Sequence, residues 1–113
     1  MKIGFSKEAE NFLEKTSSKS AQKMNLVLHV KEIMKNCYTR IEPDISFEEN
    51  ENYLEGIDKI GDWKGKIDIY LDPAIKPLLE NKDEIDLVLK GKVFKTLSLK
   101  SSKFQIKLGC GIK

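Results

Sequence analysis

The feature that most constrains the fold is the stretch 65–99, which holds the densest run of β-branched and aromatic residues in the chain. Within 66–72 the apolar side chains occupy every second position, the period-2 pattern of a strand with one buried face. Asp72 and Pro73 follow as an N-cap and a first helical residue, so a short helix is predicted next. Alternation resumes at Ile85. The stretch therefore predicts a strand, a short helix and a strand hairpin.

The rest of the chain adds one more helix and further strands. Ser6 is a plausible N-cap for a helix over 7–15, and the polar segment 16–22 predicts a loop. Residues 24–33 predict a strand that is apolar on both faces, as in the interior of a sheet, and 104–108 predict a last strand. These patterns indicate an α+β fold that is mostly β and has two short helices.

Three positions predict irregularities between the strands. Pro43 removes one donor from a sheet ladder, which predicts an edge strand or a turn. Residues 53–60 look extended, with Gly56 as a candidate β-bulge. The segment 61–65 contains two glycines and predicts the reversal that leads into the next strand.

Length and composition favour one small globular domain over 1–113. No apolar run approaches the ~20 residues that span a membrane, and 1–10 meets acidic residues before a signal sequence could form, so we expect a cytoplasmic protein without a membrane partner. The segment 87–113 carries seven lysines and no carboxylate. These lysines alternate with apolar residues without an aromatic platform, which favours a solvated strand face over a nucleic-acid surface.

The two cysteines, Cys37 and Cys110, are the residues most relevant to function. In a cytoplasmic chain they are expected to be free thiols. Cys37 lies where the strand pattern breaks, so it is either a reachable thiol near Lys35 and Arg40 or a small buried side chain. Cys110 is flanked by glycines, which predicts an exposed thiol that suits a ligand, or no role.

Three segments carry a resemblance to a known family. They are KIGFSKEAENFL at the start, LVLHVKEIMKNCY before the first cysteine, and GKIDIYLDPAIKPLLENKDEIDLVLKG in the central stretch. In order and pattern they resemble the HesB/IscA-like proteins, the A-type iron–sulfur cluster carriers, over nearly the whole length. The resemblance implies a single HesB-like domain, with mixed and antiparallel sheets forming a compact sandwich or distorted barrel.

The family carries its chemistry on three cysteines, one after an early strand and a Cys-Gly-Cys pair near the C-terminus. Cys37 stands where the first belongs, and Cys110 matches one of the pair, while Ile112 replaces the other. The resemblance implies a non-enzymatic role in iron–sulfur cluster biogenesis, with Cys37 and Cys110 as ligands of iron or a [2Fe–2S] cluster. Such a cluster needs about four thiolates, so two chains would each donate both cysteines, as a homodimer or with assembly and acceptor proteins as partners.

Several alternatives stay open. His29 would complete a mononuclear site, although a core histidine with one ring N–H satisfied by a neighbour is the simpler interpretation. A metal-free relative would act as an interaction module through exposed strand edges or the lysine-rich C-terminal hairpin. A thiol-based sulfur or redox relay requires the Cα atoms of Cys37 and Cys110 to approach within about 4.4–6.8 Å. No phosphate loop or Ser/His/acid set is evident in the sequence, so an enzyme is not expected.

Overall fold

Strands dominate the fold, which a computed structural model describes for residues 2–19, 24–48, 56–81, 83–91 and 93–108. The described helices are α1 (Lys7–Lys19) and a 3₁₀ helix (Pro73–Leu78). The described strands are β1 (Lys2–Phe5), β2 (Met24–Met34), β3 (Tyr38–Glu48), β4 (Asp58–Trp63), β5 (Ile67–Leu71), β6 (Glu84–Lys90), β7 (Thr96–Leu99) and β8 (Gln105–Leu108).

The strands form two mixed sheets. One has the strand order β1-β6-β7, and the other has the order β4-β5-β2-β3-β8. The pairs β1–β6 and β2–β5 are parallel, and the other described pairs are antiparallel. One sheet curls into a half-barrel. The predicted α+β class, mostly β with two helices, is therefore confirmed.

The core lies between the two sheets and beneath the helices. Strand β5 alternates between buried and half-buried residues along its whole length, as its period-2 pattern predicts. Helix α1 contributes Ala9 and Leu13, and the 3₁₀ helix contributes Ile75. The fully buried large side chains are Leu13, Leu26, Leu28, Ile67, Ile69, Ile75, Leu78, Ile85 and Leu87. The interior is therefore mainly aliphatic, with Trp63 as an aromatic member, and is drawn from both sheets.

Helix α1 begins as predicted but ends one turn later. The Ser6 hydroxyl accepts a hydrogen bond from the Ala9 N–H at 3.1 Å, which is the expected cap. The helix continues to Lys19, so the predicted loop is wrong for residues 16–19, and residues 20–23 lie outside the described ranges. Hydroxyl groups within that last part donate to carbonyl oxygens one turn earlier: Thr16 to Phe12, Ser17 to Glu14 and Ser18 to Lys15. These polar residues are therefore satisfied inside a helix.

Pro43 lies inside the long strand β3 rather than in a turn. Strand β8 pairs with β3 only as far as the pair Ile41–Gln105. Pro43 is thus on a stretch of β3 that lies beyond the described pairing with β8, where a missing donor is tolerated. Strand β3 lies between β2 and β8 in the sheet, so the predicted edge holds only for this stretch of it, and the predicted turn is wrong.

The irregularities around β4 differ from the predicted ones. The register with β5 shifts between Lys59 and Gly61, so the described bulge is not at Gly56, which lies in a turn with φ +80°. Trp63 is buried as the last residue of β4, and the chain reverses only at 64–66. The apolar indole ring draws this segment into the sheet, which short-range glycine signals do not reveal.

In the part of the chain that the structure describes, no helix is both long and apolar enough to cross a membrane.

Candidate functional site

Cys37 lies in the short connection between β2 and β3 and is exposed to solvent. The Lys35 N–H donates to the carbonyl oxygen of Tyr38 at 2.8 Å, which closes this connection tightly. Of the two interpretations of Cys37, the reachable side chain is confirmed and the buried apolar residue is wrong. The reason is that the position is a strand end at the rim of the sheet, away from the core between the sheets.

The sulfur of Cys37 is part of a disulfide bond. The expectation of a free thiol is therefore wrong for Cys37. That expectation came from the redox state of the presumed compartment, whereas pairing depends on which segments the fold brings together. Cys110, the only other cysteine of the sequence, lies outside the described residues.

The pairing of β3 with β8 relates the positions of the two cysteines in the chain. Tyr38, which directly follows Cys37, is the partner of Leu108 in the antiparallel register. Leu108 is the last residue of β8, and Cys110 follows it by two residues. Two residues span at most about 7 Å. The described ends of both cysteine-bearing segments thus lie side by side at one end of the sheet.

Exposed apolar side chains surround this end of the sheet. Met34 ends β2 and is 79% exposed, and Leu108 ends β8 and is 79% exposed as well. Tyr38, Ile106 and Leu108 lie on one face of the sheet, and Met34, the partner of Thr39, lies on the opposite face at the same end. We call the group Met34, Cys37, Tyr38, Ile106 and Leu108 the cysteine end. Apolar groups exposed at the rim of a sheet are typical of surfaces that contact another molecule.

Arg40, three residues after Cys37, contacts Glu42 and Phe104. Its Nε lies 3.0 Å from Oε2 of Glu42. Its guanidinium carbon lies 4.1 Å from the centroid of the Phe104 ring. Arg40 therefore ties β3 to the segment that enters β8.

His29 does not join Cys37 in a shared site. It is paired with Asp44 in the middle of β2–β3, five residues from Met34 at the end of β2. At about 3.3 Å per residue these five residues cover about 16 Å along the strand, so a mononuclear site with Cys37 in the same chain is wrong. The Nδ1 atom lies 3.2 Å from the carbonyl oxygen of Val30, the local partner expected for a structural histidine.

Around His29 the structure places polar residues that the sequence analysis missed. Nε2 of His29 lies 3.1 Å from Oγ of Ser46 and 3.6 Å from Oδ2 of Asp44. Oγ of Ser46 is also 3.2 Å from Oε1 of Glu48. His29 lies on β2, and the three polar residues lie on β3. Only the register of the two strands shows that these side chains face one another.

The cluster around His29 lacks the arrangement of a catalytic triad. In a triad the acid and the nucleophile contact opposite ring nitrogens of the histidine. Here Asp44 and Ser46 both approach Nε2, while Nδ1 faces a backbone carbonyl oxygen. The arrangement orients the imidazole ring between two strands.

Among the described residues, no three His, Cys, Asp or Glu side chains converge as metal ligands. The predicted ligand pair includes Cys110, which is outside that part of the chain. In comparisons with protein-family profiles, with curated proteins and with solved structures, nothing matched the chain at a significant level.

Proposed function

We propose that this chain is a non-enzymatic, divergent HesB/IscA-like protein of iron–sulfur cluster biogenesis. In this proposal Cys37 and Cys110 bind iron or a [2Fe–2S] cluster at the cysteine end. The observation that carries the proposal is the register of β3 with β8, in which Tyr38 and Leu108 are partners and each cysteine lies one or two residues beyond that pair. The exposure of Cys37 supports it, because a ligand must be reachable by the incoming metal.

The donor chemistry of the cysteine end fits half of a cluster site. A disulfide has no thiolate to offer, so two electrons and two protons must first convert it to two thiols. Loss of these protons leaves two thiolates per chain, whereas a [2Fe–2S] cluster takes about four. Two chains would therefore donate Cys37 and Cys110 each, and the exposed apolar side chains beside them would pack at the contact. When bound, the cluster would be cargo for an acceptor protein.

A reducing compartment suits this role. The cytoplasm keeps most protein thiols reduced, so the metal-binding form would be available there. We therefore propose that the protein is cytoplasmic and that its oxidised form, which contains the disulfide, binds no metal.

Anaerobic reconstitution tests the proposal. The full chain is reduced and incubated with ferrous iron and sulfide, and visible absorption and retained iron are measured after desalting. We expect charge-transfer absorption in the wild type and its loss in Cys37→Ser and in Cys110→Ser. Ser101→Ala, an exposed substitution elsewhere, is the matched control and should behave like the wild type. A reduced wild type that stays colourless and retains no iron would contradict the proposal.

The disulfide of Cys37 favours a second candidate function, a thiol-based relay. In this role the reduced cysteine pair would transfer two electrons to a partner's disulfide and become oxidised itself. The relay needs no iron, which separates it from the first proposal. We expect the reduced wild type to reduce a small disulfide reporter faster than Cys37→Ser does, with metal chelator present throughout. Equal rates for both proteins would exclude the relay.

The exposed edge of β8 favours a third candidate, a metal-free interaction module. Strand β8 is the outermost described strand of its sheet, and its four residues are all exposed. An unpaired strand with apolar side chains can add a strand from a partner. In that case Cys37→Ser and Cys110→Ser would leave partner capture in a pull-down unchanged, whereas Ile106→Lys would abolish it. Loss of capture in the cysteine variants would contradict this role.

A further inference from the structure

A groove separate from the cysteine end lies between β3 of one sheet and β7 of the other. Its volume is about 360 Å³, which is large enough for a small ligand. Residues 42–45 and 96–99 line it as two runs of four consecutive residues. Because alternate side chains of a strand point to opposite faces, a cavity that touches consecutive residues runs along the strand edge.

Both of these strand edges are unpaired in the described part of the fold. Strand β8 pairs with β3 only up to Ile41, so the edge of β3 beyond it faces the groove. Strand β7 has β6 on one side and no described strand on the other. Backbone polar groups on two free edges are therefore available to a ligand.

The groove carries more positive than negative side chains. Four cationic side chains line it, against the two carboxylates of Glu42 and Asp44. Glu42 already lies 3.4 Å from the Lys31 Nζ and 3.0 Å from Arg40. The other two cations, Lys90 and Lys103, have no carboxylate within 4.0 Å among the described residues. An anion entering the groove would therefore meet two lysines without an internal counter-ion.

The wall that presents these cations is held in place. The Lys103 N–H donates to the carbonyl oxygen of Leu78 at 2.7 Å, and Ser102 forms a β-bridge with Leu79. Arg40 is oriented by the ring of Phe104, and its described ion pair uses Nε alone. The terminal nitrogens of its guanidinium group can then donate to a carboxylate or a phosphate group. The backbone of this wall and the guanidinium group of Arg40 are thus fixed before an anion binds, which lowers the cost of binding.

We infer that this groove is a binding site for a small organic dianion, a compound with two carboxylates or with a phosphate group. Lys90, Lys103 and Arg40 supply the positive charge, and the hydroxyl groups of Ser98 and Ser102 supply neutral donors. The inference uses neither cysteine, so it stands apart from the proposed function.

Titration calorimetry on the full chain tests this inference with three named probes. Succinate represents dicarboxylates, glycerol 3-phosphate represents phosphate esters, and glycerol is the uncharged control. We expect saturable binding of at least one of the two anions and none of glycerol. The anion that binds more tightly shows whether the groove prefers dicarboxylates or phosphate esters. Absence of saturable binding for both anions would overturn the inference.

Variants locate the binding in the groove. Lys103→Met and Lys90→Met should each raise the dissociation constant about tenfold. This is the effect expected from the loss of one charge-assisted hydrogen bond. Lys95→Met removes an exposed lysine that does not line the groove, so binding should be unchanged. Arg40→Lys keeps the charge but loses the planar donors and should weaken binding as well. Equal weakening in Lys95→Met would indicate diffuse attraction and would also overturn the inference.

Discussion

The backbone N–H of Asp72 donates to the carbonyl oxygen of Leu28 at 2.9 Å, directly after the parallel pair of Leu28 with Leu71. The side chain of Asp72 then accepts a hydrogen bond from the Ala74 N–H at 2.9 Å. One residue therefore ends the ladder of β2 with β5 and begins the 3₁₀ helix. The corner between strand and helix depends on both of these bonds.

Replacement of the Asp72 side chain is expected to destabilise this corner. Asp72→Ala removes the cap and leaves the Ala74 N–H without its acceptor, which should lower the free energy of unfolding by about 0.5–2 kcal/mol. Chemical denaturation followed by the emission of Trp63, the only tryptophan, measures the effect. Asp58→Ala, an exposed aspartate at the start of β4, is the control and should change stability little. Equal stability of both variants would contradict the prediction that the Asp72 cap stabilises the fold.

Truncation of a leucine should be costly in the core and nearly neutral at the rim. Leu28 has 0% exposure, so Leu28→Ala leaves a cavity between the sheets and should cost about 2–5 kcal/mol. Leu108 is 79% exposed, and Leu108→Ala should change the monomer's stability by less than about 0.5 kcal/mol. Thermal unfolding of both variants at one low protein concentration checks the contrast. A large loss in Leu108→Ala would mean that this rim residue packs against something in solution.

Two of the three described glycines with positive φ, Gly56 and Gly91, should respond differently to a side chain. Gly91 has φ +128°, and a Cβ there would collide with the carbonyl oxygen of Phe94. Gly56 has φ +80° with open space around it. Gly56→Ala should therefore cost only the backbone strain of about 1–2 kcal/mol, and Gly91→Ala should cost more. The order of the two midpoints of denaturation tests this prediction, and the reverse order would contradict it.

The ion pair between Lys59 and Asp68 predicts a pH dependence at the alkaline end. The hydrogen bond from Lys59 to Asp68, together with the charge of Asp68, raises the pKa of Lys59 above 10.5. The folded state binds this proton more tightly than the unfolded chain does. The pair therefore stabilises the fold below pH 10.5, and its contribution is lost as the pH rises through the raised pKa.

Comparison of Lys59→Met with the wild type measures this contribution. The difference in the free energy of unfolding should be present near neutral pH and should shrink above pH 10.5. Lys76→Met, an exposed lysine without a described ion pair, serves as the control and should show no such trend. A difference that grows with pH would have the wrong sign and would contradict the assignment. The effect should be small, because the Lys59 side chain is about half exposed and solvent screens its charge.

Local patterns predicted the elements whose signals are short-range. The alternation over 66–72 predicted β5, and the Asp72-Pro73 pair predicted the start of the next helix. Ser6 predicted the start of α1. The end of α1 was missed because its hydroxyl groups bond within the helix, where composition alone favours a loop. Residue patterns thus located where elements begin better than where they end.

Relationships between distant segments could not be obtained from those patterns. Nothing local in β2 indicates that it pairs in parallel with β5 or that its His29 meets Ser46. The disulfide of Cys37 contradicted an expectation drawn from compartment statistics. The groove between β3 and β7 consists of residues up to 73 positions apart, from Lys31 to Phe104, and no sequence motif marks it.

The amino-acid sequence by itself determined the fold class, the strand faces and the position of Cys37 at a strand end, whereas its exposure was left open. These features follow from side-chain periodicity and from capping and turn residues, which act over a few neighbouring positions. Only the tertiary structure decided which strands pair, where Cys37 lies relative to Leu108, and which cations face the groove. Strand register and sheet packing depend on the simultaneous burial of apolar groups from the whole chain, and that condition is not contained in any single segment.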